Sequence, residues 1–151
     1  KDVESFEKAL KSSLRQDPDV IILGEIRDEE SLYSALKLAE TGHLVFSTLH
    51  TMNTVESVNR LISMVRSEKK DFIREQLASV LRFILSQELH RRRKTVPIFE
   101  ILNNTKAVAN LILNNNTSML DEEKNKIMQE IVEISNLLAE NSIEDMKRYI
   151  N

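Results

Sequence analysis

The sequence predicts an α/β fold: a parallel-sheet βαβ unit followed by a helix-rich C-terminal region. Three observations carry that prediction. Two short apolar runs, Val20-Ile21-Ile22-Leu23 and Leu44-Val45-Phe46-Ser47-Thr48-Leu49, are rich in residues that favour strands. Between them Leu32, Ala35, Leu36 and Ala39 recur at helical spacing. Both glycines, Gly24 and Gly42, and one proline, Pro18, fall in the first third, where they punctuate that alternation.

The elements follow in order. Phe6, Ala9, Leu10 and Leu14 trace a first helix, which Asp17-Pro18 stops because a residue before proline avoids the α region. Val20 to Leu23 then reads as a strand buried on both faces, ending at Gly24 with Glu25 immediately beyond. Asp28 caps the next helix, Glu29 and Glu30 suit the positive end of its dipole, and Gly42 ends it. Leu44 to Leu49 forms the second strand, followed by His50, and a right-handed crossover makes the two strands parallel. Thr51 or Asn53 caps a helix with Val55, Val58, Ile62 and Val65 inward, and Ile73, Leu77, Val80, Leu81 and Ile84 define another. Two short strands are expected near Ser86 to Arg92 and Val96 to Leu102, joined by the charged turn at Arg91 to Lys94. A helix over Thr105 to Leu113, a polar break at Asn114-Asn115-Asn116, a helix carrying Ile127, Ile131, Ile134 and Leu138, and a last helix capped by Ser142 complete the chain.

Composition narrows the function classes. A chain of 151 residues can bury roughly two-thirds of its unfolded surface in one core. With 41% apolar and 30% charged residues it reads as a soluble globular protein, neither disordered nor membrane-spanning. The absence of cysteine excludes disulfides, thiolate zinc sites and a thiol nucleophile. A net charge of -3 gives no general electrostatic case for nucleic acid, and no nucleic-acid partner is expected. Lys1 to Ser5 lack an initiator Met and any targeting pattern, so a processed or truncated start is expected.

If both apolar runs are parallel strands, Glu25 and His50 leave the sheet at the same carboxyl edge, where open α/β folds bind ligands. Strands about 4.8 Å apart let a carboxylate and an imidazole face one small substrate. An acid after an apolar strand suits orientation of a water at a nucleotide γ-phosphate. Glu25 also reads as a helix-entry residue paired with Arg27.

These residues carry a resemblance. The stretch from Asp17 to Asp28, DPDVIILGEIRD, resembles the Walker B segment of the secretion ATPase superfamily that powers type IV pili and type II secretion. Ala39 to Thr51, AETGHLVFSTLHT, resembles its histidine box in the right order and at the right distance. The resemblance also covers Ser5 to Arg15, Thr54 to Arg60 and Ile73 to Leu89, and fades after about residue 113. It implies a partial RecA-like P-loop NTPase core over residues 1–102 and a helical C-terminal subdomain over 103–151. It further implies a homohexameric motor that uses ATP and Mg²⁺ to move a pilus or pseudopilus. Glu25 would orient or activate the attacking water, while His50 and His43 would approach the phosphates. His43 precedes its strand and also reads as a helix-terminating residue. Arg27 either pairs with a neighbouring carboxylate or acts across a subunit boundary. Arg60 and Arg74 match basic positions of the family, and a solvated helix face explains either equally well. No direct metal ligand is expected. The implied partner is an inner-membrane pilus or secretion platform protein, and the implied location is cytoplasmic, peripheral at that membrane through partners.

A P-loop needs G-x-x-x-x-G-K-[ST], because closely spaced glycines let backbone N–H groups cradle phosphates. Gly24 and Gly42 cannot supply it. The chain therefore resembles the C-terminal half of a motor subunit and is expected to hydrolyse no ATP alone. Lack of cysteine favours the retraction branch, which has no tetracysteine zinc module. Yet Ala107 to Asn114, AVANLILN, departs from that branch's AIRNLIRE, and Val65-Arg66 replaces its Phe-Pro. The seam Ile127, Ile131, Ile134 and Leu138 reads as self-packing before it reads as a partner surface. The run His90 to Lys94 lacks interleaved aromatics and reads as a solvated turn before a phosphate or nucleic-acid contact. The alternative to a motor is a non-catalytic paralogue acting as a subunit-interaction module of a secretion or pilus complex.

Overall fold

The computed structural model describes residues 17–91 and 95–126. The expected first helix, the tip of the charged turn, the seam from Ile127 to Leu138 and the last helix lie outside them.

Strand β1 (Val20–Glu25) pairs in parallel with β2 (Leu44–Thr48), Val20 opposite Leu44 and Ile22 opposite Phe46. The crossover is α1 (Glu29–Glu40), started by a capping box in which the Asp28 carboxylate accepts from the Ser31 N–H and the Ser31 hydroxyl accepts from the Asp28 N–H. Gly42, at φ +97°, turns the chain into β2. Helix α2 (Thr54–Ser63) takes Asn53, not Thr51, as its cap, the amide oxygen accepting from the Glu56 N–H at 2.7 Å. Helix α3 (Lys70–Val80) follows a single 3₁₀ turn.

Strands β3 (Phe83–Arg91) and β4 (Thr95–Asn103) form an antiparallel hairpin. Ile84 is therefore a strand residue, not the end of a helix as its spacing suggested. The reason lies at Leu81, whose ψ of 136° takes the chain out of the helix with no Gly or Pro to announce it. Helix α4 (Lys106–Leu113) is capped by the Thr105 side chain. It ends through the expected asparagine break: Asn115 adopts φ 58°, its N–H reaches the Ile112 carbonyl, and the Asn116 N–H reaches the Leu111 carbonyl, a Schellman closure made with asparagine. A further helical stretch occupies 120–126.

The main core joins Leu32 and Leu36 of α1, Val58, Leu61 and Ile62 of α2, Ile73 and Leu77 of α3, and Leu102, Val108, Ile112 and Leu120. Residues on both sides of position 102 thus share one apolar interior. Ala35 and Leu38, also on α1, pack instead on Ile21 and Leu23 of the sheet, so this helix fastens sheet to core. Each fully buried Leu or Ile contributes about 1.5–3 kcal/mol over an exposed one.

The expectation of strands buried on both faces is corrected. Ile21 and Leu23 are covered by α1, but Val20 and Ile22, with Leu44 and Phe46 opposite them, are exposed; Ile22 retains 79% of its surface. Among the described residues only one helix lies on this sheet, and it covers one face. Among them, too, no helix is long and apolar enough to cross a membrane.

Candidate functional site

The carboxyl edge of the parallel sheet brings two of the expected residues together. Register slips by one residue between Leu23 and Glu25, and the Thr48 hydroxyl donates to the Gly24 carbonyl at 2.9 Å. Such an irregularity re-aims the side chain that follows it. Glu25 Oε2 consequently lies 2.9 Å from His50 Nε2. The other carboxylate oxygen contacts the Arg27 guanidinium. The capping box orders the backbone around Arg27, whose own N–H also reaches the Ser31 hydroxyl at 3.1 Å.

The hydrogen bond from Arg27 holds the Glu25 carboxyl below the usual carboxylate range; the charge of Arg27 and the contact with His50 add to this, and partial burial opposes it. Glu25 is therefore ionised at neutral pH and can only accept hydrogen bonds. It follows that His50 Nε2 carries a proton and donates. The imidazole keeps 89% of its side-chain surface and Arg27 76%, whereas Glu25 keeps 22%. An acceptor at the base of the site is thus flanked by two largely exposed groups that both contact it.

Arg60 of α2 lines the same cleft of about 350 Å³, together with Ile26, Leu49 and Met64. Its inward side is apolar and its polar groups are one carboxylate, one imidazole and two guanidiniums. That set suits an anionic ligand with a water to be oriented beside it. A larger cleft of about 460 Å³ between the end of α3 and the start of α4 is lined by Arg82, Asn104 and Lys106 but by no carboxylate or imidazole, and offers no acid–base chemistry.

His43 is not brought to this rim. It precedes β2 at the sheet's amino edge, roughly 17 Å of strand away from His50. Its Nδ1 lies 3.1 Å from the Leu38 carbonyl and 3.0 Å from the Thr41 hydroxyl, engaged with the end of α1. Arg74 is not a solvated helix residue. It is buried, pairs with Asp71, and donates to the Asn115 side chain at 2.8 Å, tying α3 to the break after α4.

One polar cluster beside the site escaped the sequence. Glu100 of β4 accepts from both the N–H and the hydroxyl of the fully buried Thr54, and lies 3.1 Å from Lys124. Burial pushes its carboxyl up, but the hydrogen bonds from Thr54 and Lys124 outweigh this and hold it below the ordinary value. No local signal marks such a contact, which spans 46 residues of sequence.

The family model described as type II/IV secretion system protein matches residues 1–140. An uncharacterised Escherichia coli protein, YggR, is 48% identical over 118 residues, 77% of this chain and 36% of that protein. The type IV pilus retractation ATPase PilT of Pseudomonas aeruginosa is 41% identical over 114 residues, 74% of this chain and 33% of its own length. A crystal structure of the pilus retraction motor PilT with bound ADP superposes with a TM-score of 0.74 at 37% identity, covering 86% of this chain and 37% of that one. The chain thus spans about a third of the length of these relatives. With family model, relatives and fold in agreement, the chain belongs to the type II/IV secretion system protein family.

Proposed function

We propose that these residues form the water-orienting rim of a pilus or secretion motor ATPase, retraction-like in its lack of cysteine, that couples ATP hydrolysis to pilus or pseudopilus movement. The observation that carries this reading is the 2.9 Å contact between His50 and Glu25 at the carboxyl edge of a parallel sheet.

An ionised Glu25 held low by Arg27 is a weak base but a good acceptor, suited to aligning a water for in-line attack. His50 and Arg60 are the groups that would face phosphate oxygens. Arg27 neutralises Glu25 in the resting site and, in a ring, would be free to exchange that partner for one on a neighbouring subunit. The residues present fit the phosphate end of ATP–Mg²⁺, whose metal would neutralise charge on the phosphates. They do not fit the whole nucleotide, because neither glycine lies in a phosphate cradle. The P-loop must then come from a segment outside these 151 residues, and the chain by itself turns over no ATP.

The remaining assignments belong to the same proposal. The protein works as a homohexamer, in the cytoplasm, docked on an inner-membrane platform protein. Residues 1–102 are the C-terminal part of a RecA-like ATPase core and 103–151 a helical C-terminal subdomain. A second reading is a non-catalytic paralogue acting as a subunit-interaction module of a secretion or pilus complex.

Reading the coding sequence upstream of Lys1 and assaying its full product decides between them. A Gly-rich loop ending in Lys-Ser or Lys-Thr, with turnover abolished by Glu25→Gln, supports the motor. A coding sequence without that loop, or turnover indifferent to Glu25→Gln, overturns it. So does appreciable Glu25-dependent hydrolysis by the 151-residue chain.

A further inference from the structure

The segment carrying His50 is gripped from the β3–β4 hairpin. Register sets Ser86 directly opposite Glu100. The Ser86 hydroxyl donates to the Met52 carbonyl at 3.2 Å, while Glu100 Oε1 accepts from the Thr54 N–H at 3.0 Å and from its hydroxyl. The two hairpin residues therefore hold both sides of Asn53, the cap of α2. Two α2 side chains complete the hold: Glu56 accepts from the Met52 N–H at 2.9 Å, and the Ser57 and Thr51 hydroxyls lie 2.6 Å apart.

The His50 ring itself is almost fully exposed, and its hydrogen bond to Glu25 is the one polar contact it makes among the described residues. Packing on the ring cannot fix its position. The backbone does so, held before His50 by the pairing of β2 and after it by the segment two to four residues on, which Ser86 and Glu100 grip together with Glu56 and Ser57. Neither Ser86 nor Glu100 lines the cleft.

We propose that Glu100, seconded by Ser86, is a positioning residue that sets the His50–Glu25 contact through the first turn of α2. Lys124, bonded to both Glu100 and Asp121, connects this anchor to the 120–126 helix, so displacement of that helix is transmitted to the rim. The catalytic consequence rests on the function proposed above; the positioning itself does not.

The test needs no nucleotide. Diethyl pyrocarbonate acylates an unprotonated imidazole nitrogen; in the native contact Nε2 is protonated and donating to Glu25, so acylation at Nε2 is blocked while the exposed Nδ1 stays open to it. Loss of about one hydrogen bond's worth of anchoring should open the contact and raise the rate of acylation at His50 Nε2 by roughly three- to tenfold. His43, on the opposite edge, serves as the internal control. The measurement is made by nuclear magnetic resonance, which separates Nε2 from Nδ1 adducts, on the 151-residue chain at a temperature where circular dichroism shows each variant folded.

Faster acylation at His50 Nε2 in Glu100→Ala with His43 unchanged, and partial recovery in Glu100→Gln, which keeps an acceptor for the Thr54 N–H, is the expected result. Unchanged reactivity at His50 Nε2 in folded Glu100→Ala overturns the proposal, as does an equal rise at both histidines. Ser86→Ala, which removes one hydroxyl, answers the same question if Glu100→Ala does not fold. In the nucleotide-hydrolysing full product, Glu100→Ala should lower kcat and leave KM for ATP unchanged. Turnover indifferent to Glu25→Gln would sink the functional reading and leave the acylation result standing. A kcat sensitive to Glu25→Gln but not to Glu100→Ala would sink the positioning role alone.

Discussion

Leu102 and Leu85 offer one substitution on two faces of one hairpin. Leu102 is 0% exposed and belongs to the main core, whereas Leu85 is 51% exposed on the opposite face. Truncating Leu102 to Ala removes three buried carbons, about 2.4 kcal/mol at about 0.8 kcal/mol each. The cavity left in a core that relaxes only partly raises this to about 3–4 kcal/mol. For a chain of this size the melting temperature should fall by roughly 10 °C. Leu85→Ala, by contrast, should cost less than about 1 kcal/mol. Urea titration followed by far-ultraviolet circular dichroism measures both, and an unchanged denaturant slope licenses the comparison. Equal losses, or a larger one at Leu85, would mean that the hairpin packs by its other face. That would also detach Glu100 and Ser86 from α2.

Two further expectations concern the βαβ unit. Gly42→Ala should destabilise by about 1–2 kcal/mol, because φ of +97° is hostile to a side chain, while Gly24→Ala should be near neutral, since a Cβ there meets nothing within 4 Å; urea midpoints of the two variants decide. The Ser31 hydrogen bonds hold the Asp28 carboxyl below its ordinary value, so its capping contribution is complete above the unfolded value and fades as pH falls through the lower folded one. Asp28→Ala should therefore lose stability relative to the parent at pH 7, with the difference shrinking below about pH 3.9, and a pH-independent difference would contradict this.

The βαβ unit was legible because its signals are local and agree with one another. Val20 to Leu23, Asp28, Gly42 and Leu44 to Thr48 each announce one element, and strand direction sends Glu25 and His50 to one edge, whereas their contact depends on the register slip before Glu25, which no residue announces. Three further things were not legible, for separate reasons. Ile84 continues the helical spacing of Ile73, Leu77 and Val80, and the break at Leu81 is made by a leucine with no conformational peculiarity. A run of four apolar residues cannot reveal that only Ile21 and Leu23 are covered, because alternation is invisible where both faces are apolar. Glu100 and Arg74 look like ordinary charged residues of a strand and a helix, and their burial is decided by Thr54 and Asn115, distant in sequence.

The claim on which the site depends is that the Glu25 carboxylate and the His50 imidazole meet. Nuclear Overhauser contacts in chain labelled at histidine and glutamate measure this directly in solution. Cross-peaks between the His50 ring protons and the Glu25 side-chain methylenes, with none from the His43 ring to Glu25, are the predicted result. A His50 ring that contacts residues at the Val20–Leu44 edge, or shows no contact with Glu25, would contradict the account.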